Sequence, residues 1–174
     1  MITENKIRTG DGSEEHPFCS KDGTAGIQTE LDALTHGGCL MLTSSRYNLS
    51  KTVVIDSCSR ALTGQIWCCN TDPNGVFESK AGTKLRLMGK DFPAIRMGDK
   101  SDPVSGSRVS ELGVQGDIPG MDTRPLLDWA HPEASAGICI DRVRCDQCDF
   151  SRLSFCGLAN GICASGTAMT DGCV

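Results

Sequence analysis

Gly-Ile-Cys at residues 137–139 recurs about two dozen residues later at 161–163, and Asp-Gln-Cys at 146–148 is echoed by Asp-Gly-Cys at 171–173. A repeat of about 20–50 residues is typical of solenoids, in which each repeat stacks on the one before it. Stacking would bring matched residues level with each other, as three pairs: Ile138 with Ile162, Cys139 with Cys163 and Cys148 with Cys173.

The rest of the chain is typical of a repetitive β architecture. It has 20 glycines and only 5% aromatic residues, which favours many tight turns over the bulky core of a helical bundle. Short runs of strand-forming residues, some of them alternating, are separated by turn residues and fit a sandwich, a barrel or a solenoid; the repeat favours the solenoid. These predicted strands are residues 39–42, 47–49, 52–55, 60–63, 84–88, 94–97, 108–114, 137–143, 148–150, 153–155 and 161–164.

One helix is predicted, over residues 22–38, after an extended or flexible entry at residues 1–21. Asp22 or Thr24 can cap its first N–H groups, and Gly37-Gly38 is expected to end it. Its apolar residues recur on one face, as expected of an amphipathic helix: Ile27, Leu31 and Leu34. Such a helix would cover an open end of the stack, where strand edges and apolar layers are otherwise exposed.

The first third of the chain resembles the N-terminal signature of the pectate lyase superfamily, the pectin lyase-like proteins. The resemblance rests on DGTAGIQTELDA at 22–33, GGCLML at 37–42, SSRYNL at 44–49 and LTG at 62–64, and 108–117 is similar to the next coil of that family. It implies an all-β fold, a right-handed single-stranded parallel β-helix with an N-terminal capping α-helix. Residues 39–174 would then be β-helix coils.

The resemblance also implies a function. Complete family members run to more coils, so we expect the pattern that stops at Val174 to be truncated, with any catalytic groove finished by later coils. In its complete form the protein would be a polysaccharide lyase or a glycoside hydrolase. The alternative is a non-catalytic structural or binding β-helix, such as a phage tailspike-like or adhesin module, for which a homotrimer is the expected oligomer. A disulfide-stapled secreted domain is a third reading.

Residues 141–152 are the richest in charge and contain the catalytic candidates Asp146, Asp149 and Arg144. Hydrolysis of a glycosidic bond uses two carboxyl groups, whereas elimination from a uronic acid needs a base and neutralisation of the sugar carboxylate by Arg or Ca²⁺. On a strand, Arg144 and Asp146 would share the outward face. The alternative is a solvated sheet face with cross-strand ion pairs.

The long connection at residues 116–136 holds the candidates for substrate binding. Loops that project from a rigid scaffold often carry binding groups, and a Trp ring can stack on the apolar face of a sugar. The alternative is that the Trp packs the loop against the scaffold. The candidates are Asp117, Asp122, Asp128, Trp129 and His131.

The chain has 11 cysteines, an odd and high number. Most lie in apolar alternating runs, where a thiol acts as a small buried hydrophobic group, so we predict reduced core thiols and a reducing or anaerobic setting. Cys145 and Cys148 form a C-x-x-C, but zinc would need further ligands to converge on them. We therefore predict a core role for this pair and no metal site.

The net charge of −5 and the absence of a basic patch argue against nucleic acid as a partner. The apolar runs are too short to cross a bilayer, and residues 1–12 do not have the pattern of a signal peptide. We expect polysaccharide as the partner and no cofactor, with Ca²⁺ as the ion to consider in the case of a lyase.

Overall fold

The computed structural model describes residues 23–43, 46–65, 82–89, 91–98, 103–116, 135–141, 144–165 and 169–171. The predicted entry at residues 1–21 lies outside them. In these ranges the chain forms the helix α1 (Gly23–Asp32) and short strands. The strands are β1 (Gly38–Met41), β2 (Arg46–Leu49), β3 (Val53–Ile55), β4 (Arg60–Thr63), β5 (Lys84–Leu87), β6 (Ile95–Met97), β7 (Val104–Ser105), β8 (Arg108–Gln115), β9 (Ala136–Asp141), β10 (Arg144–Asp146), β11 (Asp149–Cys156), β12 (Asn160–Ser165) and β13 (Met169–Asp171).

The described part of the chain is mostly β, as predicted, and its strands pair in parallel. The first sheet has the order β1-β4-β8-β5-β2, with β11 also paired to β8, and it is strongly curled. The second sheet is β12-β9-β6-β3 and the third is β13-β10-β7. The three sheets are separate, and their parallel pairing is compatible with a parallel β-helix.

The chain visits the sheets in a recurring order. It runs through the first sheet, then the second, then the third, and returns to the first; the opening round lacks a third-sheet strand among the described residues. Each strand pairs with the strand one round earlier, for example β6 with β3, β9 with β6 and β12 with β9. Every segment predicted as a strand falls on one of these elements, whereas the short strands β7, β10 and β13 were not predicted.

The two copies of the Gly-Ile-Cys repeat lie side by side on neighbouring strands of the structure, in matching register. Ile138 pairs with Ile162, and Cys139 pairs with Cys163, as expected. The glycines of the repeat, Gly137 and Gly161, both face the ring of Phe155: a Cβ at Gly137 would come within 2.4 Å of that ring, and one at Gly161 within 2.9 Å. Glycine therefore recurs there because the ring takes the space of a side chain. Cys173, expected near Cys148, lies outside the described residues.

The core consists of inward-facing residues from successive rounds. Burial alternates along β2, β3, β4 and β6. Leu62 and Val109, which pair across β4 and β8, are fully buried, whereas their neighbours Thr63 and Arg108 are not. The second sheet continues this pattern with the buried register partners Val53, Ile95 and Ile138, and Ile162 extends the column but is 47% exposed.

Residues with positive φ lie at the turns between the third sheet, or the end of the opening round, and the next strand of the first sheet. Ser59, Gly106 and Gln147, with φ between 51° and 63°, lie shortly before β4, β8 and β11. Inside the long strands, Glu111 and Arg152 have φ of 58° and 50°. The structure therefore joins the predicted strands at 148–150 and 153–155 into one bent strand, β11, because a single left-handed residue turns the chain without ending the strand.

The helix α1 closes the first round, although it ends at Asp32 rather than at Gly37-Gly38 as predicted. Ile27 and Leu31 pack into the core, while the side-chain amide of Gln28 accepts a hydrogen bond from the Val54 N–H (2.8 Å) and donates one to the Val54 carbonyl (3.1 Å). Gln28 thus takes the place of a neighbouring strand at the edge of β3. No helix in the described ranges is long and apolar enough to span a membrane.

Thr24 does not cap the helix as predicted, because it lies within α1. Its hydroxyl accepts a hydrogen bond from the Ser50 N–H (3.1 Å) and donates one to the Lys51 carbonyl (3.2 Å). Thr24 and Gln28 lie one turn apart, so that a single face of the helix satisfies backbone groups just before β3 and within it. Asp22, the other predicted cap, lies outside the described residues.

Replacing Gln28 with methionine should lower the free energy of unfolding by about 2 kcal/mol, because it leaves the edge N–H and carbonyl of Val54 without their partners. Urea denaturation of the full chain measures this loss. The control, Gln65→Met, makes the same substitution at an exposed position and should cost less. Equal losses in the two variants would contradict the strand-mimicking role.

The buried side chain of Arg60 links the chain just after α1 to the turn that precedes β4. Arg60 donates from Nε to the carbonyl of Leu34 (3.2 Å) and from Nη1 to the Asp56 carboxylate (2.9 Å). The Asp32 carboxylate lies 3.9 Å from the same Nη1. Because these groups satisfy the guanidinium, a charge can be buried at the start of β4.

Candidate functional site

The predicted catalytic residues lie on both sides of one corner. Arg144 and Asp146 are the first and last residues of β10 in the third sheet, and Asp149 begins β11 in the first sheet. Gln147, with φ of 51°, turns the chain between them. Asp146 is half-buried and pairs in register with Ser105 and Asp171. Their assignment as catalytic residues stays a prediction.

Asp149 forms a cross-strand ion pair on the outer face of the first sheet. Its Oδ2 lies 2.8 Å from Nε of Arg108, its register partner on β8. A second pair lies at the bends of the same two strands, where the Arg152 guanidinium contacts the Glu111 carboxylate. We call these four residues the charged strip. Both guanidinium groups are well exposed, since the side chains of Arg108 and Arg152 are 59% and 60% accessible to solvent.

Hydroxyl groups lie beside the charged strip on the same face. Thr63, Ser110 and Ser151 occupy one register position on β4, β8 and β11. The Thr63 and Ser110 hydroxyl oxygens are 3.0 Å apart and share a hydrogen bond. Ser110 itself is buried, at 2% exposure, so the half-buried Thr63 and Ser151 are the hydroxyl residues that extend the charged strip at the surface, on strands about 4.8 Å apart.

The predicted substrate-binding residues, Asp117, Asp122, Asp128, Trp129 and His131, all lie outside the described residues. That prediction therefore stays a prediction. The structure places both ends of the connection, since β8 ends at Gln115 and β9 begins at Ala136. The connection therefore leaves the first sheet and enters the second.

Cys145 and Cys148 both belong to the apolar core, as predicted for the C-x-x-C pair. Residues three apart on one extended strand would point to opposite faces, but the left-handed Gln147 lies between these two cysteines and both are buried. The Cys148 thiol donates weakly to the carbonyls of Val104 and Asp146 (3.8 and 3.6 Å). Within the described ranges, no group of three or more His, Cys, Asp or Glu side chains is placed to hold a metal ion.

Not all the described cysteines are buried. Cys39 on β1 and Cys58 before β4 are exposed thiols. Partial burial raises the pKa of the Cys39 thiol, and the positive charge of Arg108 lowers it by a smaller amount. Since the net shift is upward, Cys39 holds its proton to higher pH than an ordinary cysteine.

We expect Cys39 to react slowly with iodoacetamide, because the thiolate is the nucleophile and the raised pKa makes it scarce near pH 8. Peptide-level mass spectrometry across pH 7–10 would measure the alkylation rate and give its midpoint, the pH at which the rate is half of its maximum. A cysteine tripeptide is the reference, and Cys39 should show the higher midpoint. In Arg108→Ala the midpoint should rise further, because the charge that opposes the shift is removed. A midpoint at or below that of the tripeptide would be inconsistent with this environment.

The sequence analysis did not single out Arg108, Glu111 or Arg152 as site residues. Arg108 and Asp149 are partners although the long connection at residues 116–136 lies between their strands. That insertion hides the correspondence, whereas the Gly-Ile-Cys copies are separated by only about two dozen residues. One signal was present in the sequence: two similar strands begin with residues of opposite charge, Arg108 and Asp149.

The sequence matches no family model, and no curated protein or solved structure is significantly similar to the chain.

Proposed function

We propose that the described strands are successive coils of a right-handed parallel β-helix and that the outer face of its first sheet binds polysaccharide. The recurring order in which the chain visits the three sheets supports the β-helix. The right hand follows from a general rule, since parallel strands joined by a crossover are right-handed in nearly all proteins. The resemblance of residues 22–64 to pectin lyase-like proteins agrees with both.

The observation that carries the binding function is the charged strip with its adjoining hydroxyls. Guanidinium groups donate hydrogen bonds, carboxylates accept them, and Ser and Thr hydroxyls do both. A sugar chain lying across stacked strands would present hydroxyl or carboxylate groups to this array. Arg108 and Arg152 would bind the carboxylates of uronic acids in particular, because charge-assisted hydrogen bonds are the strong ones.

The charged strip suits binding better than cleavage. Glycosidases place two carboxyl groups on either side of the scissile bond. In the strip, by contrast, Asp149 and Glu111 each face a guanidinium group on the neighbouring strand. This arrangement favours the non-catalytic alternative for this face of the protein.

Affinity electrophoresis of the full chain in gels containing neutral or uronic-acid polysaccharides tests the binding proposal. We expect retardation by a uronic-acid polymer and a loss of about tenfold in affinity for Arg108→Ala, the effect of about 1.4 kcal/mol. Lys51→Ala removes the same charge at an exposed position of the first round and is the matched control. No retardation by any polysaccharide, or equal affinities in the two variants, would refute the proposal.

A polysaccharide lyase or glycoside hydrolase is the second candidate, and one observation favours it. Asp146 of β10 and Asp171 of β13 are register partners in the third sheet, which is a backbone pairing of two acidic positions. A screen for reducing ends and unsaturated products would detect cleavage. If cleavage is found, Asp146→Asn should abolish it, while Arg108→Ala should retain it with weaker substrate binding. Activity that survives in Asp146→Asn would exclude Asp146 as a catalytic residue.

A further inference from the structure

A pair of thiols on the second sheet lies away from both candidate sites. Cys139 on β9 and Cys163 on β12 are register partners, and both are buried, at 1% and 8% exposure. Ile138 and Ile140, on either side of Cys139, belong to the core cluster, and Cys139 does not. Because side chains alternate along a strand, Cys139 points away from the core. Its register partner Cys163 lies on the same face.

We propose that Cys139 and Cys163 bind a soft monovalent cation of the Cu(I) class as a linear two-coordinate dithiolate. The two strands are about 4.8 Å apart, and rotation about the Cα–Cβ bonds lets the sulfur atoms of two level cysteines lie at a similar separation. With metal–sulfur bonds of about 2.3 Å, a linear S–metal–S unit spans about 4.6 Å, so the ion fits between the strands. Neither thiol is part of a disulfide in the structure, and because the strand spacing would also allow one, the site is proposed for the reduced protein.

The neighbouring strand supplies a compensating charge. Arg96 on β6 is the register partner of Cys139, so Arg96, Cys139 and Cys163 form one column across three strands. Binding releases both thiol protons to solvent, and the resulting complex, one monovalent cation with two thiolates, has a net charge of −1. The guanidinium beside Cys139 stabilises that charge in a buried setting. Thiolate ligands select Cu(I) over harder cations.

Cys139 and Cys163 differ from the other described cysteines because they are buried and are register partners of each other. Cys145 and Cys148 lie in the apolar core, where a charged complex would have to lie among aliphatic side chains at a high cost. Cys39 and Cys58 are exposed, and the half-buried Cys156 on β11 has Gln115 as its register partner. Cys139 and Cys163 combine burial, level register on adjacent strands and an arginine in the same column.

Competition between the reduced full chain and bicinchoninate for Cu(I), under anaerobic conditions, tests this site. Relative to the wild type, Cys139→Ser/Cys163→Ser should lose one tightly bound Cu(I) per chain. Cys39→Ser/Cys58→Ser, which removes two exposed thiols, should lose none of that affinity. X-ray absorption of the one-equivalent complex should show two sulfur ligands. Unchanged tight binding in Cys139→Ser/Cys163→Ser would overturn the proposal.

Two further variants separate binding from folding. Cys163→Ser alone changes only the less buried thiol and should weaken Cu(I) binding at least tenfold with an unchanged circular dichroism spectrum. Arg96→Gln keeps both thiols and should weaken binding by a similar factor, because the negative complex loses its counter-charge. Full affinity in folded Cys163→Ser would overturn the site, as would a Cys139–Cys163 disulfide in protein prepared anaerobically.

Discussion

Replacing Leu62 with alanine should lower the free energy of unfolding by about 3 kcal/mol, the usual cost of removing a fully buried leucine side chain. Leu62 is 0% exposed and belongs to the core cluster. It lies on β4, between Leu40 of the first round and Val109 of the third. The loss includes the apolar burial of the missing carbons and the cavity that they leave, because β4 is held on both sides and cannot move to fill it.

Urea and thermal denaturation of the full chain would measure the effect. For a chain of 174 residues, about 3 kcal/mol corresponds to a fall in Tm of roughly 10 °C. Leu40→Ala is the matched control, since Leu40 is the register partner of Leu62 but is only half-buried. It should lose less than half as much stability. Equal losses at the two positions would contradict the stacked core described above.

Replacing Gly64 with alanine should destabilise the chain by about 3 kcal/mol or more, at the upper end of the range for inserting a methyl group into a packed site. A Cβ at Gly64 would lie 2.2 Å from the Glu111 carbonyl oxygen and 2.7 Å from Cβ of Thr83. Neither neighbour can move easily. Glu111 lies at the bend of β8, and Thr83 is fully buried with its hydroxyl bonded to backbone groups on both sides.

The control for this prediction is Gly89→Ala. A Cβ at Gly89 would meet only the ring edge of Phe92, at 3.2 Å, and a ring can shift by the few tenths of an ångström required. We expect a change within about 1 kcal/mol, of either sign, because alanine also reduces the entropy of the unfolded chain. If Gly64→Ala unfolded at the same urea concentration as the wild type, the close contact of β4 with the bend of β8 would be disproved.

The sequence predicted the strands well because their signal is local. Alternation of apolar and polar residues at 84–88 depends only on which face is buried. The strands that it missed, β7, β10 and β13, are two or three residues long and carry too few residues to show alternation. The helix was found for a similar reason, yet its end was misplaced, because Gly37-Gly38 leads into β1 instead of terminating α1.

The candidate site was less predictable. Asp149 was found from local charge density, but its partner Arg108 depends on how β11 pairs with β8. The role of Gln28 could not be read from its position on a helix either, since its two bonds go to Val54 on β3. Contacts of this kind follow from the register between distant segments, which insertions of unequal length conceal.

The sequence by itself determined the parallel stacking of like residues. The two Gly-Ile-Cys copies predict that like residues lie level, and the structure pairs Ile138 with Ile162 and Cys139 with Cys163. The tertiary structure alone decided where the chain bends and which charges meet. Glu111 and Arg152 adopt left-handed conformations that no sequence pattern announces in residues other than glycine, because neighbouring strands impose them. Those two bends lie on adjacent strands, so the same packing that stabilises the bends also brings the Glu111 carboxylate to the Arg152 guanidinium.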